Sequence, residues 1–267
     1  MCPLVGPETD SILIPEGPFV IDAGEAHRLL GVVRAQLEDV FATWSIPARV
    51  ADDLWAGAWW YLGTTFFRQS VLHWRGEITP LLHLRMRLDQ FTPSESQRRV
   101  WRRNADLRVE RRVAAVDDQR RELFHRHKER FSESIPNALD DFVGPDPSVI
   151  PVPAIEFNVF AGDNLVAVSY LAQGHRSVAS LYGFFEPSLY ERSLGLFTML
   201  QEIRYARESG CQLYYPGYSL AKPSSMDYKK RFSALEAYEW NQGWKPYSRL
   251  IGGTRPSHVP GSYTVRV

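Results

Sequence analysis

The sequence has few cysteines, no excess of either charge and no long apolar run, and each absence narrows the class of protein. With Cys2 and Cys211 alone, neither a disulfide framework nor a cysteine-based zinc or iron–sulfur site is expected. The 31 basic and 31 acidic residues balance, so any polyanion site must be a local patch. The N-terminus lacks the pattern of a signal peptide, and no stretch approaches the length of a membrane span. We therefore expect a cytoplasmic protein with no membrane partner and no DNA partner.

The local basic patch is an arginine-rich segment at residues 98–112. It follows a predicted helix start, with Ser94 as the cap and Gln97 three residues later. Its arginines far outnumber its acidic residues, Asp106 and Glu110. Guanidinium groups can hold a phosphate with two hydrogen bonds, which favours a phosphate-binding function. A solvated face neutralised by other segments is the open alternative.

The first half of the chain predicts helices and strands in alternation. Helical patterns cover residues 22–44, 48–60 and 119–131, and an edge strand is expected near residues 12–14. A proline-rich stretch at residues 136–153 reads as a linker. With 267 residues, the chain has room for one large domain or two small ones.

Two further features of this half involve histidine. In the strand at residues 82–88, leucine and methionine alternate with His83, Arg85 and Arg87, which predicts one buried face and one half-solvated face. His125 and His127 are two residues apart and would point to different sides of a helix, so they are expected to be surface or capping histidines. We expect no metal site.

From residue 154 the pattern changes to three successive strands separated by glycine turns, which predicts an antiparallel meander. A tight turn at residues 192–195 then opens an amphipathic helix that Gly210 ends. A strand follows at residues 211–215, and Pro216-Gly217 is expected to break it. This order of strands and helix predicts an α+β fold. Because the N-terminus of a helix offers unpaired N–H groups to an anion, a binding site is expected at that helix end.

Five stretches together resemble the arginyl-tRNA–protein transferase family, including its bacterial leucyltransferase branch. In chain order they are LHLRMRL (82–88), FTPSESQRRVWRRNADL (91–107), FFEPSLYERSLGLFTMLQEI (184–203), YYPGYSL (214–220) and MDYKKRF (226–232). The resemblance implies a GCN5-related N-acetyltransferase-like C-terminal domain with an antiparallel meander, at residues 146–267. A smaller α/β N-terminal lobe, at residues 1–145, would precede it.

The resemblance also implies the reaction. An amino acid, Arg or Leu, would pass from an aminoacyl-tRNA to the α-amine of a protein or peptide with an N-terminal Asp or Glu. The aminoacyl-tRNA is a co-substrate, and no cofactor is implied. Ester aminolysis of this kind needs positioning, an oxyanion donor and a route for one proton, but no covalent nucleophile.

The family's roles carry over to residues in the matched stretches and beside them. The aminoacyl pocket or the oxyanion would be served by Tyr218, Tyr228 and Lys229, with core packing as the alternative for the tyrosines. The tRNA would contact seven residues: Arg98, Arg99, Arg102, Arg103, Arg192, Ser193 and Gly195. The acidic side chain of the acceptor would be held by Arg68, Arg85 and Arg87, since a carboxylate needs a fixed cation.

The sequence departs from the family in three places, and two rival functions stay open. The N-terminal cysteine cluster of the family is absent, Tyr-Pro-Gly-Tyr at 215–218 replaces its Tyr-Leu-Gly-Tyr, and the cysteine often found before its Lys-Met is absent from AKPSSM at 221–226. One rival is an acyl-CoA-dependent N-acyltransferase, because residues 192–195 fit the start of a pyrophosphate loop. Phe197 stands where that loop expects a small residue, and its ring should crowd the ligand. The other rival is a non-catalytic binder of acidic N-termini or of RNA.

Overall fold

The computed structural model describes residues 39–74, 76–131 and 136–247. The strands in these ranges are β1 Asp39–Ala42, β2 Trp60–Leu62, β3 Thr65–Arg68, β4 Val71–Trp74, β5 Glu77–Arg87, β6 Arg108–Val113, β7 Ala154–Ala161, β8 Asn164–Gln173, β9 Ser177–Phe185, β10 Leu213–Leu220, β11 Leu235–Glu239 and β12 Gly243–Pro246. The helices are α1 Ala48–Ala56, α2 Glu95–Arg103, α3 Asp118–Lys128, α4 Asp140–Val143 and α5 Leu194–Glu208, and two 3-10 helices cover Pro187–Arg192 and Asp227–Arg231. Within the described ranges, no helix is both long and apolar enough to cross a membrane.

A nine-stranded mixed sheet organises the described chain. Its order is β12-β11-β5-β10-β9-β8-β7-β6, with β4 attached to β5. The pair β9–β10 is parallel, whereas the other pairs of this sheet are antiparallel. A separate three-stranded antiparallel sheet has the order β1-β3-β2. The fold is therefore α+β with a large, mostly antiparallel sheet, as predicted.

Helices cover both faces of the large sheet. On one face, Leu200 and Ile203 of α5 join a core with Val159 and Leu171 of the sheet. On the other face, Leu123 and Phe124 of α3 pack with Val168, Tyr170 and Phe184. Alternate residues of β8 thus contribute to two different cores, as the period of two in a strand requires. This layering holds α5 firmly against the strands that form the candidate site.

Most elements of the second half confirm the prediction. The three-stranded meander is β7, β8 and β9, and α5 follows it and ends before Gly210. In the first half, Ser94 caps α2 through a reciprocal pair of bonds, in which its hydroxyl accepts from the Gln97 amide at 3.3 Å and its own N–H donates to the Gln97 side chain at 2.8 Å. The helices predicted at 48–60 and 119–131 are present as the shorter α1 and α3.

The predicted helix at residues 22–44 is wrong at its C-terminal end, where Asp39–Ala42 is a strand; the rest of it, like the strand expected near residues 12–14, lies outside the described residues. Tertiary packing overrides the helical pattern here. Strand β1 pairs with β3, and the ring of Phe41 stacks on Phe66 with centroids 5.0 Å apart. The predicted lobe boundary at 145/146 stays a prediction, and β5 and β6 from before it belong to the same sheet as the later strands.

Two other expectations are also corrected. Pro216-Gly217 does not break the strand, because β10 continues to Leu220 through a register shift against β5 that lies between Tyr214 and Gly217. A bulge tolerates proline, which has no N–H to donate. His127 is not a surface histidine: it is 2 % exposed, and its Nδ1 accepts the Phe185 amide at 3.0 Å. His83 is likewise buried, and its Nε2 lies 2.8 Å from the Gln69 carbonyl oxygen.

Candidate active site

A split between two parallel strands creates the candidate site. Strands β9 and β10 pair from Ser177–Leu213 to Ala179–Tyr215, and the pairing ends there. The register shift in β10 follows immediately, with Gly217 at a φ of 86°. Beyond this point the facing backbone groups of the two strands are not bonded to each other. They therefore open onto a cleft between the strands.

The cleft has a volume of about 390 Å³ and is closed on one side by α5. Its walls come from β9, β10, the end of α3, α5 and the second 3-10 helix. Apolar side chains such as Leu181, Leu196 and Met199 form much of the lining. A cleft of this kind, with a few convergent polar groups, is the usual form of a small-molecule or substrate site.

Gly217 keeps the cleft open. A Cβ at this position would lie 3.3 Å from Nζ of Lys229 and 3.3 Å from the ring of Trp60. The positive φ also favours glycine over any residue with a side chain. The bulge therefore allows the backbone of β10, the indole of Trp60 and the amine of Lys229 to meet at close range.

Lys229 is the most perturbed cation of the cleft. Burial lowers the pKa of its amine to about 8, and the charge of Glu202 opposes this shift. Its Nζ donates to the carbonyl oxygen of Tyr218 at 3.3 Å and makes no ion pair with a described carboxylate. The amine is therefore a hydrogen-bond donor that is cationic at neutral pH and able to lose its proton just above it. All three predicted catalytic residues, Tyr218, Tyr228 and Lys229, line the cleft.

Glu202 is a functional candidate that the sequence reasoning missed. It lies on α5 with 0 % exposure, and burial raises the pKa of its carboxyl to about 7. The Tyr214 hydroxyl donates to Oε2 at 2.6 Å, while Oε1 has no hydrogen-bond partner within the described ranges. The sequence carried a signal, because Glu202 follows Met199 by three residues on the apolar face of the predicted helix.

Two serine hydroxyls lie between Glu202 and the open cleft. Ser169 and Ser180 line the cleft and approach the carboxyl of Glu202 closely enough to lower its pKa, though less than burial raises it. Oγ of Ser169 makes no hydrogen bond of ordinary geometry with any described group. The floor of the cleft is thus a buried polar cluster that still has hydrogen-bonding capacity, which is uncommon in a purely structural core.

The N-terminus of α5 opens into the same cleft. Ser193 adopts a left-handed conformation with a φ of 55°, and Ser193 and Gly195 both line the cleft. The first turn contains no acidic residue. The amides of Leu196 and Phe197 bond to the Ser193 carbonyl, which leaves the two preceding amides without an acceptor in the helix. This end of the helix favours a negatively charged group.

Arg130 is a second candidate that the sequence did not indicate. It lines the cleft, and its guanidinium lies 4.9 Å from the ring centres of both Phe131 and Phe185. Partial burial lowers its pKa. It forms no salt bridge with any carboxylate in the described part of the chain, so its charge is available to a ligand.

The three arginines predicted to hold an acidic acceptor do not line the cleft. Arg68 donates to the Gly57 carbonyl at 2.8 Å and to the Tyr238 hydroxyl at 3.3 Å. Arg85 pairs with Glu236 at 2.6 Å. Arg87 pairs with Asp89 on the surface. Their assignment to the acceptor stays a prediction.

The predicted tRNA arginines lie on α2 and beside the start of α5. Arg98 and Arg102 both pair with Glu95, and Arg192 pairs with Asp106. Arg103 reaches the backbone carbonyl of Glu191 and, with Arg192, borders a surface depression. Arg99 makes no ion pair with a described residue. Three of these arginines thus have carboxylate partners, with Glu95 shared between two of them, whereas Arg99 and Arg103 have no described carboxylate partner.

Phe197 does not crowd the helix end as expected. Its ring is 2 % exposed and packs in the core beneath α5, away from the cleft. The phenylalanine therefore does not by itself exclude a CoA ligand. In the described ranges, no group of three His, Cys, Asp or Glu side chains has the geometry of a metal site.

Comparison with known proteins gives a consistent family. Residues 118–239 match the profile described as "Arginine-tRNA-protein transferase, C terminus". The "Aspartate/glutamate leucyltransferase" of Stenotrophomonas maltophilia (strain K279a) is 30% identical over 178 residues, which cover 64% of this chain and 70% of the relative. The protein of the same name from Xanthomonas campestris pv. campestris (strain B100) is 33% identical over 190 residues, covering 64% of this chain and 71% of the relative.

Among solved structures, FemX aligns with a TM-score of 0.41 and 12% identity, covering 66% of this chain and 61% of its own. L-PGS from Bacillus licheniformis aligns with a TM-score of 0.39 and 13% identity, covering 54% of this chain and 48% of its own. At these TM-scores the likeness supports no conclusion about this chain.

Replacing Glu202 with Gln should change how stability depends on pH. Because the folded-state pKa of about 7 lies above the ordinary 4.5, the folded wild-type chain binds more protons than the unfolded chain between those values. Its unfolding free energy should fall as pH rises through that window, by up to about 1.4 kcal/mol per unit, and the Gln variant should not show this loss. Urea unfolding of both proteins at several pH values measures the difference.

The matched control is Glu208→Gln on the same helix, where the carboxyl is 66% exposed and pairs loosely with Arg204. That variant should follow the wild-type pH dependence. A difference between wild type and Glu202→Gln that stayed constant across the window would contradict a carboxyl buried in its protonated form.

Proposed function

Because the chain belongs to the arginine-tRNA-protein transferase family and is thus an aminoacyltransferase, we propose that it transfers leucine from charged tRNA to the α-amine of proteins that begin with Asp or Glu. The observation that carries the proposal is the split cleft, where a helix N-terminus, a perturbed lysine and an arginine with no carboxylate partner among the described residues converge. Since the donor is a charged tRNA, the proposal places the reaction in the cytoplasm. It requires no cofactor besides that co-substrate.

The lining of the cleft favours leucine over arginine as the donor amino acid. The described residues that line it include Arg130 and Lys229 and no Asp or Glu. A donor arginine would bring a third cation to these two, without a carboxylate to pair with it. An aliphatic side chain would instead contact apolar groups such as Leu181 and Met199. The relatives named leucyltransferases support the same choice.

The chemistry is aminolysis of the ester that joins the amino acid to the tRNA ribose. The neutral α-amine attacks the ester carbonyl, and a negative charge develops on the carbonyl oxygen. Lys229 and Tyr228, which is 40% exposed, line the cleft and can donate to that oxygen. Tyr218 contributes its carbonyl, which orients the Lys229 amine, and its ring, 5.9 Å from Nζ.

We assign the 3′ end of the tRNA to the N-terminus of α5. Ser193 and Gly195 lie at this end, and its amides suit a phosphate. Arg103 and Arg192 are on the surface beside it, so the body of the tRNA would extend over α2. The split of a parallel strand pair beside this helix also supports a GCN5-related N-acetyltransferase-like domain for the C-terminal part of the chain.

We assign the acidic side chain of the acceptor to Arg130. The carboxylate of an N-terminal Asp or Glu needs a fixed cation close to the reacting amine, and Arg130 lines the same cleft as Lys229 without a described carboxylate partner. By contrast, Arg68 and Arg85 bond to protein groups outside the cleft.

The function is tested by a transfer assay. The purified chain, incubated with a full set of charged tRNAs and a peptide that begins with Asp, should transfer leucine with the highest kcat/KM. A peptide that begins with Asn tests the need for the acidic side chain. Product is followed by mass spectrometry of the peptide.

Two results would favour the rival functions. Acetylation of the peptide from acetyl-CoA, without transfer from any charged tRNA, would support an acyl-CoA-dependent enzyme. Tight binding of the acidic peptide without turnover of any donor would support a non-catalytic binder.

The role of the α2 arginines is tested by a pair of double variants. Arg99→Gln with Arg103→Gln removes two charges that have no described carboxylate partner, and should flatten the slope of log K for tRNA binding against log salt by about 2. Arg98→Gln with Arg102→Gln should change the slope less, because both guanidinium groups are bonded to Glu95, which offsets one of their two charges. Filter binding at several salt concentrations measures both slopes, and an unchanged slope in the first pair removes α2 from the tRNA interface.

Arg130→Gln should raise the KM for an Asp-initiated peptide by about 10-fold or more, since a charge-assisted hydrogen bond contributes about 1.5–3 kcal/mol. The KM for charged tRNA should change little. Arg87→Gln is the matched control, with the same loss of charge at an exposed site outside the cleft. A rise in peptide KM for Arg87→Gln alone would return the acceptor site to the residues that the sequence suggested.

A further inference from the structure

Ser180 lies at the point where β9 and β10 separate. It directly follows Ala179, the last residue of β9 that pairs with β10, and it is half-buried and lines the cleft. Its hydroxyl is close enough to Glu202 and Tyr214 to lower the pKa of both groups. Like Ser169, Ser180 therefore lies between the buried carboxyl and the open cleft, and it is the less buried of the two serines.

Only one oxygen of the buried Glu202 carboxyl has a hydrogen-bond partner among the described residues, the Tyr214 hydroxyl at Oε2. A carboxyl with 0 % exposure is expensive to bury, and Oε1 lacks a hydrogen bond to any described group. The titratable groups that act on it are Tyr214 from β10 and Tyr228 and Lys229 from the second 3-10 helix. Lys229 supplies the nearby positive charge, which favours the ionised carboxylate without making an ion pair with it.

We propose that Glu202, acting through the hydroxyl of Ser180, accepts the proton that the attacking α-amine releases; this rests on the proposed function. The amine nitrogen bonds to the ester carbon, one N–H proton passes to Oγ of Ser180, and the Ser180 proton passes to Oε1 of Glu202. When the bond from that carbon to the ribose oxygen breaks, the same hydroxyl returns the proton to the ribose oxygen. The net change is ester plus amine to amide plus alcohol, and both side chains regain their starting forms.

The pairing of Glu202 with Lys229 suits both halves of the cycle. Because its pKa is about 7, the carboxyl of Glu202 can both accept a proton and release it again near neutral pH. The amine of Lys229 remains a hydrogen-bond donor for the oxyanion while Glu202 accepts and returns the proton, so no single residue has to do both. Glu202 is a positioned proton acceptor that does not touch the substrate, whereas Ser180 does.

The experiment compares Glu202→Gln, Glu202→Asp, Ser180→Ala and Glu208→Gln in the leucine transfer assay, between about pH 5.5 and 9. Glu202→Gln should lower kcat about 100-fold or more, with little change in either KM. The ratio of wild-type to variant kcat should rise up to about pH 7 and then level off, because the peptide α-amine titrates equally in both proteins. Glu202→Asp should recover part of the rate, and Glu208→Gln should behave as wild type.

Ser180→Ala keeps the inference testable if Glu202→Gln does not fold, since it leaves the buried carboxyl in place. It should lower kcat at least 10-fold without a change in KM. The inference is overturned if wild type transfers leucine and Glu202→Gln or Ser180→Ala keeps kcat within about threefold with the same pH profile. A wild-type chain that transfers no amino acid from any charged tRNA overturns the proposed function, and the inference falls with it.

Discussion

The short parallel pairing of β9 with β10 is the constraint on which the candidate site depends. Only three residue pairs hold the strands together before β10 shifts its register at Pro216-Gly217. Longer pairing would satisfy the facing backbone groups and leave no space between the strands. Because the split occurs where β8 and α5 close the floor, the opened backbone, the Ser180 hydroxyl and the end of α5 face one volume. The early end of the β9–β10 pairing thus produces the geometry of the whole candidate site.

The electrostatics of the cleft follow from where its charges lie. Arg130 and Lys229 line it, whereas the carboxyl of Glu202 is buried behind Ser169 and Ser180. A ligand that enters meets positive charge first, which suits both a phosphate and an acidic side chain. The carboxyl of Glu202 makes no ion pair with either cation, so both remain available to a ligand. In the proposed reaction, this separates the proton acceptor from the cations assigned to the substrates.

The sequence predicted the local structure of the second half better than the site. Alternation and glycine turns were sufficient for the meander, and the Ser94–Gln97 spacing was sufficient for the start of α2. Periodicity could not show that β5 inserts between β10 and β11, because that pairing joins residues far apart in the chain. It also misjudged Pro216, since a proline inside a bulge looks the same in sequence as a proline that ends a strand. The sequence did not indicate Arg130, because the feature that distinguishes this arginine is the absence of a carboxylate partner among the described residues, and only the three-dimensional structure shows it.

Two of the arginines predicted to hold the acceptor, Arg68 and Arg85, also make contacts that join separate elements of the fold. Arg68 lies 4.7 Å from the ring centre of Trp240 and bonds to Gly57 and Tyr238, so it ties β3 to the segment around β11. Arg85 reaches Glu236 in β11 and lies 4.5 Å from the ring centre of Trp244 in β12. Because the second 3-10 helix, which carries Lys229, leads directly into β11, these contacts hold in place the chain that delivers the lysine. An acidic acceptor bound at either guanidinium would therefore share it with groups that join β3, β11 and β12, whereas Arg130 lines the cleft without a described carboxylate partner.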